Sequence, residues 1–232
     1  MIARKRISVI IPVLNEASII NLTLGQFSAL SPSNGVEIIV VDGDRSGSTI
    51  NAIKYPGIKR AVAPRGRALQ MNHGAAMASG EILLFLHADT FLPDNGLKKI
   101  DALLFSSSNA YGAFELGIRS RRSVFRLIEW MVAIRTRTTG IPYGDQALFL
   151  SAELFRKANG YPEIPIMEDV ALMRRLKRQK AVFRIIPDKV STSPRRWKTE
   201  GLVYCTVRNW FMATGFHLGI APETLAKYYR FE

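Results

Sequence analysis

Six groups of residues in this chain have the types and spacing for chemistry. Asp89 follows the apolar run "ILLFL" by two residues. A carboxylate just past a buried strand can hold a hard divalent cation, and that cation can clamp a diphosphate. The plainer role is a turn aspartate before Pro93. His87, two residues earlier, reads as a half-buried strand-end histidine more than a ligand. Asp42 and Asp44 follow "EIIVV". An acid there can accept from a nucleoside, as in dinucleotide sites, or can close an Asp-Gly turn in front of Ser46 and Ser48. Arg65 and Arg67 flank Gly66 just before a helical stretch, a natural phosphate position, or else a solvated basic loop. Glu168 and Asp169 open "EDVALMRRLKRQ"; acids favour a first helical turn, and one at a rigid helix start can act as a general base. Arg195, Arg196 and Trp197 pair guanidiniums with an indole, suited to phosphate and ring contacts or to a surface basic turn. Pro12 and Glu16 close the set, at the end of the first apolar run.

These groups need elements to position them. Near-continuous apolar runs at Ile7–Val13, 36–41 and 82–86 have the pattern of parallel strands covered on both faces. Between them, 17–30 carries Ile19, Ile20, Leu24 and Phe27 at helical spacing, and 67–79 is rich in Ala, Leu and Met and stops at Gly80, an expected C-cap. The alternation implies an open, mostly parallel sheet with right-handed crossovers. Ligands in such sheets sit beyond the carboxyl ends of the strands. Pro12 to Glu16, Asp42 to Asp44, and His87 to Asp89 all fall at such ends, so distant segments converge on one rim.

The second half is less regular. A strand is expected over 111–118, a helix over 124–134, a loop entering a strand over 143–151, a helix over 168–180 and a short strand over 182–187. Terminal helices are expected over 200–219 and 222–229. No repeat or linker divides the chain, so 1–232 reads as a single domain with a helical appendage at 200–232.

Composition narrows the function. A length of 232 residues with 47% hydrophobic and 22% charged residues supports a real core. A net charge of +13 favours anionic partners: nucleotide phosphates, acidic lipid surfaces or nucleic acid. The single cysteine, Cys205, allows no internal disulfide. The basic start, Met1 to Arg6, precedes no signal-peptide core, and no run reaches the roughly 18–20 apolar residues of a membrane span. A cytoplasmic location is expected, with peripheral contact at the inner face of the cell membrane left open. Zinc-type Cys/His spacing, the nucleophile elbow, the P-loop and G-x-G-x-x-G are all missing, which removes several enzyme classes.

Six segments in order, "SVIIPVLNE", "IIVVDGDRSGST", "RGRALQMNHGAAMASGEILLFLHADT", "YGDQALFLS", "GYPEIPIMEDVALMRRLKR" and "RRW", resemble a family 2 inverting glycosyltransferase of the GT-A fold, within a small single-domain bacterial subfamily. The resemblance implies an α/β fold and a nucleotide-sugar donor, UDP-linked by family default. Pro12, Glu16 and Asp42 would line the nucleoside pocket, with Arg65 and Arg67 near the diphosphate or base. Asp89 would be the second acid of an Asp-x-Asp metal motif for Mg²⁺ or Mn²⁺, with His87 in the first position. Asp169 would be the catalytic base. Arg196 and Trp197 match the end of a Gln-x-x-Arg-Trp pattern, with Ser193 where Gln is expected.

The acceptor is left unknown, with a lipid-linked one admitted by the basic, aromatic helix around Phe125 and Trp130 and by the C-terminal "VRNWFMATGFHLGIAP". No nucleic-acid motif is present. Two rivals stay open: a sugar nucleotidyltransferase, disfavoured by the missing Gly-rich N-terminal phosphate loop, and a non-catalytic protein binding lipid or nucleic acid.

Overall fold

The computed structural model describes residues 7–28, 35–105, 107 and 109–229. The basic N-terminal hexapeptide and the end of the helix predicted over 17–30 lie outside them. One seven-stranded sheet runs β3(Lys59–Val62), β2(Val36–Asp42), β1(Ile7–Val13), β4(Ile82–Phe85), β7(Leu148–Ser151), β6(Ala110–Glu115), β8(Val182–Lys189). β1 pairs in parallel with both β2 and β4, and β2 with β3. β7 is antiparallel to both neighbours, and β6 and β8 are again parallel. The sheet is therefore mostly parallel, as the near-continuous burial of β1 and β4 requires.

Helices cover both faces. α1(Ile20–Gly25), α4(Gly96–Phe105) and α5(Ser123–Thr139) contribute Leu24, Ile100 and Phe125 to one apolar layer. α3(Arg67–Met77), α6(Ala152–Lys157) and α7(Glu168–Arg178) contribute Met71, Phe155 and Leu172 to the other. Met212 of α9(Leu202–His217) and Leu225 of α10(Pro222–Ala226) join that second layer. Among the described residues no helix is long and apolar enough to cross a membrane.

Several boundaries differ from the sequence expectation. α3 ends at Met77 with Ala78 as its C-cap. Gly80 is no cap; its N–H donates to Ser8 Oγ at 2.9 Å and Glu37 Oε1 at 3.1 Å. Arg195, Arg196 and Trp197 lie on a short helix, α8(Arg195–Glu200), which Gly201 separates from α9; the helix expected over 200–219 is α9, with Glu200 belonging to α8. α2(Ser48–Asn51) starts at Gly47 without a side-chain cap from Ser46 or Ser48. A two-stranded ribbon, β5(Thr90–Phe91) with β9(Ser191–Thr192), sits just past β4.

α3 lies unusually close to the sheet. A Cβ on Gly74 would stand 2.5 Å from Ile10 Cγ2 and 3.2 Å from Val41 Cγ2. Beside it, the buried Gln70 amide donates to Val13 O at 2.7 Å and Val41 O at 2.9 Å, which ties α3 to the carboxyl ends of β1 and β2. Ala at a free helix position would gain about 1 kcal/mol over Gly; here overpacking of about 1–3 kcal/mol opposes it. Gly74→Ala is expected to lower the melting temperature, and a rise would contradict this close approach.

Candidate active site

The strand order reverses between β1 and β4, and a cleft of about 730 Å³ opens there. That is where loops leaving adjacent parallel strands diverge and leave room for a ligand. Its walls include Pro12, Glu16, Arg65, Arg67, His87, Asp89, Asp169, Ser193, Arg196 and Trp197. Of the residues that the family resemblance assigns to the site, all but Asp42 border this one space.

Asp42 stands behind the cleft wall. Its residue is fully buried, and its carboxylate accepts the backbone N–H groups of Asp44 (3.0 Å), Thr49 (2.8 Å) and Ile50 (3.2 Å). Burial and these three bonds leave it facing the start of α2 and not the cleft. Thr49 Oγ1 in turn accepts from Glu16 N at 3.0 Å, so Asp42 shapes the cleft wall indirectly. Asp44 is turn chemistry: the Ser46 hydroxyl and its neighbours hold its carboxyl down at about 2.

Asp169 stands at the start of α7. Its Oδ2 accepts Gly144 N–H at 2.7 Å, and its Oδ1 accepts the N–H of Val170 at 2.7 Å. Both oxygens are thereby oriented, with lone pairs to spare for the cleft. Glu168, its neighbour, is turned inward and pairs with Arg67 Nε at 2.8 Å. That carboxylate pushes the Arg67 guanidinium further into its charged form. The approach of the 144 turn is tight, since a Cβ on Gly144 would lie 2.9 Å from His87 Nε2. Burial, aided by Arg67, pushes His87 down to about 4, so its ring is neutral at physiological pH. Non-glycine residues with left-handed φ gather at this rim: Asn15 (56°), Ala147 (52°) and Met167 (65°). Such conformations persist where surrounding contacts impose them.

Asp89 sits in the loop held by the β5–β9 ribbon. Burial raises its carboxyl, with Arg195 pulling the other way. Its Oδ1 meets only long contacts, from Thr90 Oγ1 at 3.4 Å and Thr192 Oγ1 at 3.5 Å. A carboxylate with that little internal satisfaction suits a hard cation. Among the described residues no three His, Cys, Asp or Glu side chains converge to hold an ion alone. The donor set fits Mg²⁺-like binding through one carboxylate, water and a ligand's phosphates.

The basic side of the cleft is built from both ends of the chain. Arg195 forks onto Glu16, with Nη1 to Oε2 at 2.9 Å. Arg196 bonds the Tyr229 hydroxyl and lies over its ring, 4.9 Å from the centroid. Trp197 packs edge-on against Phe125 at 5.7 Å, and its Nε1 is buried without a partner among the described residues.

The turn Gly144–Gln146 brings residues that the sequence reading left without a role. Asp145 borders the cleft, and its Oδ1 is buried without a hydrogen bond. Burial pushes its carboxyl up to about 6, against the pull of Arg135 and helped by the charges of Asp169 and Asp89. Arg135 lies over the Tyr143 ring, 3.4 Å from its centroid. Gln146, fully buried, accepts from Arg135 and Thr136 and donates to Phe114 O at 3.0 Å, which locks the turn between α5 and β6. The available signal was the same as for Asp89: an acid beside a buried strand, here preceding it because β7 runs antiparallel to β4.

The family model described as glycosyl transferase family 2 matches residues 8–144. The chain belongs to that family. No curated protein sequence matches it. Among solved structures it is similar to the mannosyltransferase PcManGT from Pyrobaculum calidifontis, solved with GDP-Man and Mn²⁺ (21% identity, TM-score 0.65, over 83% of this chain and 57% of that one). It is also similar to S. aureus TarS 1–349 (18% identity, TM-score 0.62, over 82% of this chain and 61% of that one), a protein solved with UDP as well. The open, mostly parallel sheet flanked by helices is the GT-A fold these proteins share. The chain spans about three-fifths of the length of these two structures.

Asp145 allows a signed test. Its carboxyl is raised from 3.8 to about 6, so its contribution to stability is present below 3.8 and lost as pH rises through 6. His87 slopes the opposite way, losing its contribution as pH falls from 6.5 through 4. The two overlap, so a single substitution must separate them. Asp145→Asn, in EDTA, is expected to raise the melting temperature at pH 7.5, by up to about 3 kcal/mol of stability. The gain should vanish below pH 4. A lower melting temperature at pH 7.5 would show that the attraction of Arg135 outweighs burial.

Proposed function

We propose that this family 2 protein is an inverting glycosyltransferase, moving a sugar from a nucleoside-diphosphate donor to an acceptor hydroxyl. The observation that carries it is the setting of Asp169. One carboxylate, oriented by two backbone N–H groups at the start of a helix, faces a cleft that Arg65, Arg67 and Arg196 make basic. A base on one side and an anion-holding wall on the other is what a single in-line displacement needs.

The donor nucleotide lies against Pro12, Glu16 and the 65–67 loop, with Arg196 and Trp197 closing over it from α8. Arg65, Arg67 and Arg196 hold the diphosphate and the negative charge it gains on leaving. Asp89 would hold a divalent cation, Mg²⁺ or Mn²⁺, which when bound would neutralise charge on the leaving diphosphate. Asp169 takes the proton from the acceptor hydroxyl. The freed oxygen attacks the anomeric carbon from the face opposite the nucleotide, a bond forms there as the carbon–diphosphate bond breaks, and the configuration inverts. The transition state has oxocarbenium character, as in glycoside cleavage. The neutral His87 ring and the Asp145 carboxyl flank the acceptor side. The nucleotides bound in the similar structures carry different bases, guanine in one and uracil in the other, so the donor base stays general here.

Two substitutions divide this reading into parts. Asp169→Asn keeps the shape and can keep only one of the two hydrogen bonds at the helix start, its amide oxygen accepting a single N–H; donor affinity is expected within about threefold of wild type, while turnover falls by about 10²–10⁴. Turnover within tenfold of wild type would remove Asp169 as the base. Asp89→Ala is expected to abolish the difference in nucleotide affinity between Mn²⁺ and EDTA, measured by titration calorimetry. An unchanged difference would move the cation elsewhere.

A further inference from the structure

α5 and α9 wall the same cleft, with Met131 and Val132 on one side and Thr206 and Ala213 on the other. Each helix also carries a second apolar stripe that no described residue covers. On α5 it is Leu127, Trp130 and Ile134, spaced three and four apart; on α9 it is Val203, Val207 and Trp210, spaced four and three apart. Trp130, Val207 and Trp210 are 61%, 61% and 62% exposed. Trp210 belongs to both surfaces, since it lines the cleft and stands in the exposed stripe. On α9 the exposed stripe therefore reaches the mouth of the cleft.

Charge decides what this face meets. α9 contains no acidic residue, and the only one in α5, Glu129, is 2% exposed and engaged by Arg126 and Lys189. The exposed cations Arg121, Arg122 and Arg126 stand at the start of α5, with Lys198 on α8 before α9. Two helices with exposed tryptophans, no surface carboxylate and flanking cations match the chemistry of an anionic bilayer interface, where indoles settle at headgroup level and guanidiniums meet phosphate. A protein partner would need matching carboxylates or an apolar face of its own; a bilayer supplies both the anions and the apolar depth.

We infer that the exposed stripes of α5 and α9, on the two walls of the cleft, dock on the surface of an anionic phospholipid bilayer, which sets the cleft mouth at headgroup level. The contact is peripheral, and it stands independently of the transfer chemistry.

The test is co-sedimentation of the full chain with phosphatidylcholine vesicles, with and without about 30 mol% phosphatidylglycerol, at about 150 mM salt. The comparison is with Trp130→Ser/Val207→Ser, whose positions are exposed and outside the cleft lining. Wild type is expected to bind the anionic vesicles, at least tenfold more weakly the neutral ones, with a blue shift of tryptophan emission. The double variant is expected to lose at least tenfold in vesicle binding while keeping its melting temperature and its response to nucleoside diphosphates. Absence of wild-type binding to anionic vesicles, or equal binding by the variant, would overturn the assignment. So would a wild-type dimer that the variant abolishes without any vesicle binding, which would give the face to a second copy of the chain.

Discussion

The register at one line of the sheet, where β4 joins β1 in parallel and β7 joins β4 antiparallel, controls the rest of the molecule. Parallel pairing of Ile7–Ile10 with Ile82–Phe85 puts the loops after β1 and β4 at one edge. Antiparallel pairing of Phe85 with Leu148 puts the start of β7 at that same edge. Side chains separated by more than fifty residues in sequence, Asp89 and Asp145, thus share one cleft. Gln70 and Gly74 let α3 press close enough to close the other side, and the ribbon of β5 with β9 returns α8 over the top. A slip of one residue in β4 would turn Leu84 and Phe85 to opposite faces and take the loop with them.

The cleft is a balance of charge in poor solvent. Carboxyls at 89, 145 and 169 face guanidiniums at 65, 67 and 196, and burial sharpens each interaction. Some of that charge is spent internally: Arg67 on Glu168, Arg195 on Glu16. Other groups stay under-satisfied, namely Asp89 with its long contacts, the Asp145 Oδ1 and the Trp197 Nε1. Buried polar groups without protein partners mark places where a ligand can supply the missing bond. The left-handed backbone at Asn15, Ala147 and Met167 is held in the same zone.

Much of this was legible in the chain itself. Strands buried on both faces show as unbroken apolar runs, so β1, β2 and β4 and the convergence of their carboxyl ends could be read directly. Asp89 and Asp169 each had an ordinary reading as a turn or helix-start acid, and only the convergence of strand ends and the family resemblance set them at the site. The backbone amides that occupy the Asp42 carboxylate leave no mark in residue types, so its place behind the cleft wall had to come from the structure. Asp145 was missed because residue types do not state strand direction; with β7 taken as parallel, its start would lie at the opposite edge. The exposed stripes of α5 and α9 looked identical to core-facing stripes, because periodicity reports amphipathicity and not what covers the apolar side.

The central claim is that the cleft receives a nucleoside diphosphate with a divalent cation. Thermal denaturation of the unmodified chain with UDP, GDP, CMP and dTDP, each with Mn²⁺ and with EDTA, tests it most directly, because a ligand bound only to the folded state raises the melting temperature. The account predicts a rise with at least one nucleoside diphosphate that EDTA removes. No rise with any nucleotide, with or without the metal, would contradict it.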